Sequence, residues 1–184
     1  MLYIALLHYP VKNREGKVVA SSVTNMDIHD IARAAKTYGV KQYYVVNPVE
    51  AQRELLTRII GHWREGYGSE YNPSRKEAFE TVRIKTRLED VVSEITDTHS
   101  VRPKIIVTGA CLPGELLTCQ CLREMIKRNC LPYLIIFGTG SGIAREVVIS
   151  ADYRLEPIQG KDGYNHLSVR SAAAIILDRV VGIS

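Results

Sequence analysis

The sequence predicts an α/β fold with a mainly parallel sheet that is covered by helices on both faces. Apolar strand-like runs alternate with stretches of helical period along the whole chain, which is typical of parallel strands joined by helical crossovers. These runs are also too apolar to leave one face in water, as residues 2–8 and 131–137 show. With 184 residues, the chain can bury one sizeable core. Because no repeat or linker divides it, we expect a single domain over residues 1–184.

The elements follow from local patterns. Residues 2–8 form the first predicted strand, and residues 27–38 form the first helix because their apolar positions recur at helical spacing. β-Branched and apolar runs predict further strands over residues 40–46, 82–85, 104–108, 131–137 and 152–155. Helical patterns cover residues 49–64, 88–98, 113–128, 143–149 and 167–181, and loops are expected at 10–25, 63–75 and 156–165. Ligands of such sheets bind beyond the carboxyl ends of the strands, which points to the loops after residues 8, 46, 108, 137 and 155.

Charge and composition narrow the class of protein. The net charge of +4 is concentrated in residues 53–87, which hold eight basic and five acidic side chains; a local basic excess hints at a polyanionic partner. No apolar run is long enough for a membrane helix, and residues 1–8 resemble a strand and not a secretory leader. We therefore expect a cytoplasmic protein without a membrane segment.

The four cysteines suggest neither a disulfide framework nor a metal site. Cys111, Cys119, Cys121 and Cys130 lie within twenty residues of one another, but none forms a CxxC pair and no histidine cluster lies nearby. In a cytosolic protein such cysteines are expected to be buried reduced thiols. No metal is expected.

The loop Gly138-Thr139-Gly140-Ser141-Gly142 permits two interpretations. Its glycines allow the backbone to approach a nucleotide or adenosyl ligand, but they suit a tight strand-to-helix turn equally well. A dinucleotide site for NAD is a further alternative, because Glu156 lies eighteen residues beyond Gly138, near where a ribose-binding acid would stand. Against this, only one short strand and one helix remain to complete such a unit.

Three segments, taken together, resemble the SPOUT class of RNA methyltransferases. The first is Thr24 to Val40, which contains Ala32-Arg33-Ala34-Ala35, and the second is Leu134 to Ile143. The third runs from Leu155 through Ile176. Their order and spacing agree with the class over residues 24–178, and the details resemble a subfamily that also occurs fused to tRNA guanine-N1 methyltransferase domains.

The resemblance implies a C-terminal trefoil knot over about residues 131–184 and S-adenosylmethionine as the cofactor. In the class, the cofactor is held mostly by backbone groups. The positions that match are Gly138, Thr139, Gly140, Ile158, Leu167 and Ser168. Thr108 and Gly109, in the turn after the preceding strand, are expected to form a further wall of the site. The resemblance also implies a homodimer, and the final helix agrees with this because it is apolar nearly all round.

The catalytic candidates implied by the resemblance are Arg33, Asn165 and Ser168. Arg33 points away from the apolar stripe of its helix, and because an arginine is a poor base, binding the acceptor is as credible a role as proton abstraction. Ser168 is equally suited to cap the final helix. His8 and His29 are further candidates for the acceptor side.

The methyl acceptor is expected to be RNA. The residues expected to bind it are Arg33, Arg64, Arg75 and Arg170, together with the aromatic segment from Trp63 to Arg75. The matches favour the ribose 2′-oxygen over a base nitrogen in tRNA or rRNA. However, Asp27, His29 and Gly140 depart from the ribose branch of the class. The alternatives are therefore a cofactor-binding RNA module without turnover and, less favoured, an NAD-dependent oxidoreductase.

Overall fold

The computed structural model describes residues 1–183 and shows a six-stranded sheet in the order β5-β4-β1-β7-β6-β8, with every paired strand parallel. Its strands are β1 (Leu2–Leu7), β4 (Tyr43–Val46), β5 (Val82–Lys85), β6 (Lys104–Val107), β7 (Tyr133–Gly138) and β8 (Tyr153–Arg154). A separate two-stranded antiparallel hairpin consists of β2 (Val11–Lys12) and β3 (Val18–Val19). The predicted parallel sheet is confirmed.

The helices are α1 (Asn25–Thr37), α2 (Glu50–Arg64), α3 (Tyr67–Tyr71), α4 (Pro73–Glu80), α5 (Leu88–His99), α6 (Cys119–Arg128), α7 (Arg145–Ser150) and α8 (Val169–Val181), with a short 3₁₀ helix at Lys161–Gly163. Side chains of successive strand residues point to opposite faces, so β1 contributes to two cores. Leu2, Ile4 and Leu6 pack in the core that includes α1, α2, α4, α6 and α8. Tyr3, Ala5 and Leu7 pack in the core that includes α5 and α7. Helices therefore cover both faces, as predicted.

Polar residues with a clear capping role define where several helices begin. Thr24 accepts a hydrogen bond from the Asp27 amide at the start of α1, and Thr118 accepts one from the Cys121 amide at the start of α6. These side chains satisfy amides that have no partner inside the helix.

Three predicted segments differ most from the structure. The helix expected over 113–128 begins only at Cys119, because Leu117 instead pairs in parallel with Leu155 beside β8. The loop expected over 10–25 contains the β2–β3 hairpin. The loop expected over 63–75 contains α3 and the start of α4, for which Asn72 is the N-cap and Pro73 stands in the first turn.

Within residues 1–183, no helix combines the length and apolar character required to cross a membrane. Ser184, the last residue of the predicted domain and of the predicted knot, lies outside the described residues. The trefoil knot stays a prediction.

Candidate active site

The loops at the carboxyl ends of the central strands are joined by hydrogen bonds. The turn after β6 meets the loop after β8, where Asn165 donates from Nδ2 to the Ala110 carbonyl oxygen at 2.9 Å. The loop after β7 meets the end of β1, where the Thr139 amide donates to the Leu7 carbonyl oxygen at 3.3 Å. The turn after β6 and the loop after β8, both predicted to hold the cofactor, are thus in direct contact, and the predicted glycine loop is bonded to the end of β1.

The glycine loop after β7 is fixed to the N-terminal hairpin. The Ser141 amide donates to the Lys12 carbonyl oxygen, and the Lys12 amide donates to the Gly142 carbonyl oxygen, both at 2.8 Å. Gly140 has a φ of +62°, and a Cβ there would lie 2.7 Å from the Lys12 oxygen. A side chain at Gly138 would lie 2.5 Å from Cγ1 of Ile143. The fold itself therefore requires glycine at both positions, as the tight-turn interpretation proposed.

A partly buried chain of hydrogen bonds joins this loop to the end of β1. Nδ1 of His8 lies 2.9 Å from Oγ of Ser21, which lies 2.5 Å from Oγ1 of Thr139. Thr139 in turn donates to the Leu7 carbonyl oxygen at 3.1 Å. Because the Thr139 hydroxyl donates in this last bond, the Ser21 hydroxyl must donate to Thr139, and His8 must donate from Nδ1 to Ser21. This arrangement leaves Nε2 of His8 as a bare acceptor, and Nε2 is buried with no partner among residues 1–183.

The environment of His8 keeps its ring neutral. Burial lowers the pKa of His8 from 6.5 to about 4, and the attraction of Asp27 offsets only part of this effect. His8 was predicted only as a possible neighbour of the acceptor. Its connection to Thr139 through Ser21 depends on long-range packing, and the position of His8 directly after an apolar strand was the one local signal.

The other predicted cofactor positions offer backbone groups and apolar side chains. The Thr108 hydroxyl donates to the Ile136 carbonyl oxygen at 2.9 Å, and Ser168 caps α8 by accepting from the Ser171 amide. Leu116 and Tyr164 are exposed on the same loops, and Leu167 is 46% exposed. A ligand recognised by backbone groups and apolar walls fits these surroundings, and adenosyl and methionine moieties are of that kind. Gly109 and Ile158 lie on the same two loops, after β6 and β8.

Arg33 lies on the exposed face of α1, as predicted, and lines a cleft of about 630 Å³ formed with α2 and α4. The residues lining this cleft are Asn25, Met26, His29, Asp30, Arg33, Arg58, Ile59, His62, Trp63 and Arg75. The guanidinium of Arg75 lies over the Trp63 ring, 4.4 Å from its centroid. Arg33 and Arg75, predicted separately, are therefore brought to one cleft.

The two remaining arginines have partners within the chain. Arg64 donates from Nε and Nη2 to the Phe79 carbonyl oxygen at 2.9 and 2.8 Å, close to the C-terminal end of α4. Arg170 forms ion pairs with Asp27 at 3.2 Å and Asp30 at 3.5 Å, linking α8 to α1. Both side chains hold helices in place.

The prediction that all four cysteines are buried was wrong. Cys119 is buried, whereas Cys111, Cys121 and Cys130 are exposed. Burial, followed by the nearby Glu156 carboxylate, raises the pKa of the Cys119 thiol to about 11. The exposed cysteines lie on loops or on the outer face of α6, where a local sequence pattern gives no periodic signal.

Glu156 does not stand free to bind a ribose. Its Oε1 accepts a hydrogen bond from the Cys119 amide at 2.8 Å, at the N-terminus of α6, where a carboxylate is favoured by the exposed amides and the helix dipole. This observation removes the main support for the NAD alternative.

A second cleft, of about 740 Å³, lies between β5 and α5 at the opposite edge of the sheet from β8. Its Lys85 and Glu94 pair with each other at 2.5 Å. It contains none of the predicted site residues, and we assign it no ligand.

Comparison with known proteins decides the family. A family model described as SAM-dependent RNA methyltransferase matches residues 1–182. The chain belongs to this family. The predicted cofactor, S-adenosylmethionine (SAM), is confirmed by this family membership.

Two relatives show how far the similarity extends. The chain is 45% identical over 181 residues to a tRNA (guanine-N(1)-)-methyltransferase of Oleidesulfovibrio alaskensis, a match that covers 98% of this chain and 42% of that protein. It is 42% identical over 179 residues to an uncharacterized protein of Aquifex aeolicus, covering 97% of this chain and 87% of that protein. The chain thus spans about two fifths of the relative that carries a named activity.

Solved structures confirm the fold. TrmJ from Z. mobilis superimposes with a TM-score of 0.65 at 14% identity, over 98% of this chain and 69% of TrmJ. The SpoU methyltransferase AviRb from Streptomyces viridochromogenes, in complex with AdoMet, superimposes with a TM-score of 0.59 at 14% identity, over 98% of this chain and 56% of AviRb. The chain therefore shares the fold of TrmJ and of the SpoU methyltransferase AviRb.

Proposed function

We propose that this methyltransferase modifies a tRNA at a ribose 2′-oxygen. The support for tRNA is the 45% identity to a protein named tRNA (guanine-N(1)-)-methyltransferase. That name describes attack by a base nitrogen, but the match covers only 42% of that protein. The support for ribose is the sequence likeness at Ala32-Arg33-Ala34-Ala35 and Ser168-Val169. The single observation that carries the proposal is the exposed Arg33 in a cleft of nucleotide size.

The cofactor would be held by the loops after β6, β7 and β8. Bound there, SAM supplies an electrophilic methyl group on a sulfonium centre. The backbone of Thr108, Gly109 and residues 138–140 would recognise the polar parts of the cofactor, and Ile158 and Leu167 would supply apolar contacts. Ser168 would fix the start of α8 against this pocket through its cap. Because the glycine loop is already hydrogen-bonded to Lys12, little conformational entropy is lost when it binds.

Arg33 would bind the acceptor nucleotide and orient its 2′-hydroxyl. The guanidinium makes no ion pair with a carboxylate of residues 1–183, so its fork of donors is available for a phosphate or ribose oxygen. Asn165 would position the loop after β8 through its bond to Ala110, so its effect on the reaction is through geometry.

The enzyme would be a homodimer whose subunits contact each other through α8. Each subunit would be a single domain, and the dimer would act in the cytoplasm. Ala173, Ile176, Leu177 and Val180 are buried inside the chain. Ala174 and Ile175 lie on another side of the helix and remain half-buried, so this second apolar face is available to a second copy.

The test is methyl transfer from tritiated SAM to tRNA from a strain that lacks the gene, followed by mass spectrometry of the nucleosides. We expect a 2′-O-methylated nucleoside with the wild-type protein and at least a tenfold lower rate with Arg33→Gln. The exposed Arg128→Gln, on α6, is the matched control. A base-methylated product would overturn the choice of ribose, and an unchanged rate for Arg33→Gln would overturn the role of Arg33.

The second candidate is a SAM-binding RNA module without turnover. It is favoured by one observation: two positions that depart from the ribose branch are engaged in packing. Asp27 is buried and paired with Arg170, and the His29 ring packs edge-on against Trp63 at 5.2 Å. SAM binding by calorimetry, together with no label transferred to any RNA, would establish this candidate.

A further inference from the structure

The cleft beside α1 gathers positive charge that the rest of the chain does not neutralise. Arg33 comes from α1, Arg58 from α2 and Arg75 from α4, and together with His29 and His62 they line one opening. Among residues 1–183, none of these three arginines pairs with a carboxylate. The one acidic residue of the lining, Asp30, already pairs with Arg170.

Other arginines of the same helices are engaged within the chain. Arg53 on α2 donates to the Asn47 carbonyl oxygen at 3.2 Å, and Arg64 on α2 donates to Phe79. The three arginines of the cleft repel one another when no anion is present. The side chains of Arg33 and Arg58 make no hydrogen bond or ion pair with residues 1–183, so polar contacts within the fold do not explain their positions.

Arg75 is oriented before any ligand arrives. Its guanidinium is stacked on Trp63, and its Nε is buried without a hydrogen-bond partner among the described residues. A stacked guanidinium loses little freedom when it binds an anion with its two remaining nitrogens.

The positive charges of the cleft also affect the pKa of His29, which lies beside them. Burial lowers the pKa of His29, and the charges of Arg75 and Arg33 lower it further. An anion in the cleft would reverse the effect of the two arginines.

We infer that the cleft of Arg33, Arg58 and Arg75 is a phosphate-binding subsite that holds the RNA backbone next to the modified nucleotide. A guanidinium matches the geometry of phosphate oxygens through paired N–H donors. The identity of the ligand as RNA rests on the proposed function, whereas the affinity for phosphate rests on the cleft alone.

An aromatic pair beside the cleft favours an RNA strand over a small free anion. Tyr67 and Tyr71 on α3 are 73% and 74% exposed, and their rings are stacked with centroids 6.1 Å apart. Helix α3 abuts the cleft directly, since a Cβ at Gly68 would lie 2.7 Å from the Trp63 ring and 2.8 Å from the His62 ring. Exposed aromatic rings next to arginines are the usual surface for single-stranded RNA.

Trp63 makes the test direct because it is the one tryptophan of the chain. We expect saturable changes in its fluorescence on titration with inorganic phosphate, and at much lower concentrations with a single-stranded RNA 12-mer. Arg58→Gln should weaken RNA binding by about threefold to fivefold, as for an exposed ion pair. It should also reduce the slope of log Kd against log salt by about 0.7.

The Arg58 side chain is exposed and makes no hydrogen bond or ion pair with residues 1–183, so its variant should fold normally, with unchanged SAM affinity by calorimetry. Arg128→Gln is the control for a general loss of positive charge and should bind RNA almost as the wild type does. Wild-type affinity and salt slope for Arg58→Gln and Arg75→Gln would overturn the subsite, even if methyl transfer is observed. Saturable, Arg58-dependent fluorescence without methyl transfer would support the subsite and overturn the proposed function.

Discussion

The neutral state of buried His8 predicts a specific pH dependence of stability. Below its ordinary pKa of 6.5, the unfolded chain takes up a proton at His8, whereas the folded chain does not do so until about pH 4. Stability should therefore fall as the pH decreases from about 7 to about 4 and then level off. The difference between 6.5 and about 4 corresponds to about 3.4 kcal/mol in full. Between pH 8 and pH 5, the expected loss is about 2 kcal/mol.

The comparison with His8→Asn isolates this contribution from other titrating groups. Asparagine keeps a polar atom near the position of Nδ1, which contacts Ser21, but it does not titrate. The free energy of unfolding, from urea melts at pH 8 and pH 5, should decrease by about 2 kcal/mol more in the wild type than in the variant. The exposed His166→Asn should behave as the wild type does. Parallel pH profiles for wild type and His8→Asn would refute a buried neutral His8.

Three other predictions concern the loop, a helix end and the dimer. Gly140→Ala should destabilise the protein by about 1 kcal/mol or more in urea melts, since its φ is +62°; Gly61→Ala, which has open space in α2, should instead stabilise it by up to about 1 kcal/mol. Arg64→Ala should lower the free energy of unfolding by about 1–3 kcal/mol because backbone acceptors lose their donor. The affinity of the folded protein for RNA should stay unchanged, and a loss of RNA affinity without a loss of stability would contradict the structural role of Arg64. Ile175→Asp should shift the protein to monomer in sedimentation experiments, whereas the exposed Leu55→Asp should leave the dimer intact, and equal effects would argue against the α8 interface.

The order of strands and helices could be predicted because it depends on local periodicity. The boundaries failed where a long-range contact overrides the local pattern. Leu117 lies in a stretch of helical pattern, but its backbone pairs with Leu155. Neither segment by itself shows that this pairing is favoured over the helix. In contrast, the cap at Thr24 and the Asn72-Pro73 start of α4 follow rules that can be read locally.

In the candidate site, too, features set by local spacing could be predicted, and contacts between distant helices could not. The position of Arg33 on the exposed face of its helix follows from a spacing rule, and the structure agrees. The partners of Arg64 and Arg170 could not be predicted, because they lie on helices that only the tertiary fold brings close. The same holds for Arg58, which joins Arg33 in one cleft although they stand on different helices.

The central position of β1 governs when the glycine loop after β7 can form. This first strand lies between β4 and β7, and Ile4 is aligned with Tyr43 on one side and Ile135 on the other. During synthesis, β4 (Tyr43–Val46) becomes available soon after β1, but β7 (Tyr133–Gly138) follows only after β5 and β6 have been made. One edge of β1 therefore stays unpaired until β7 emerges, and an unpaired edge is a site for wrong pairing and aggregation. Closure of that edge by β7 also brings Thr139 to Leu7, so the pairing of β1 with β7 and the assembly of the glycine loop are one folding event.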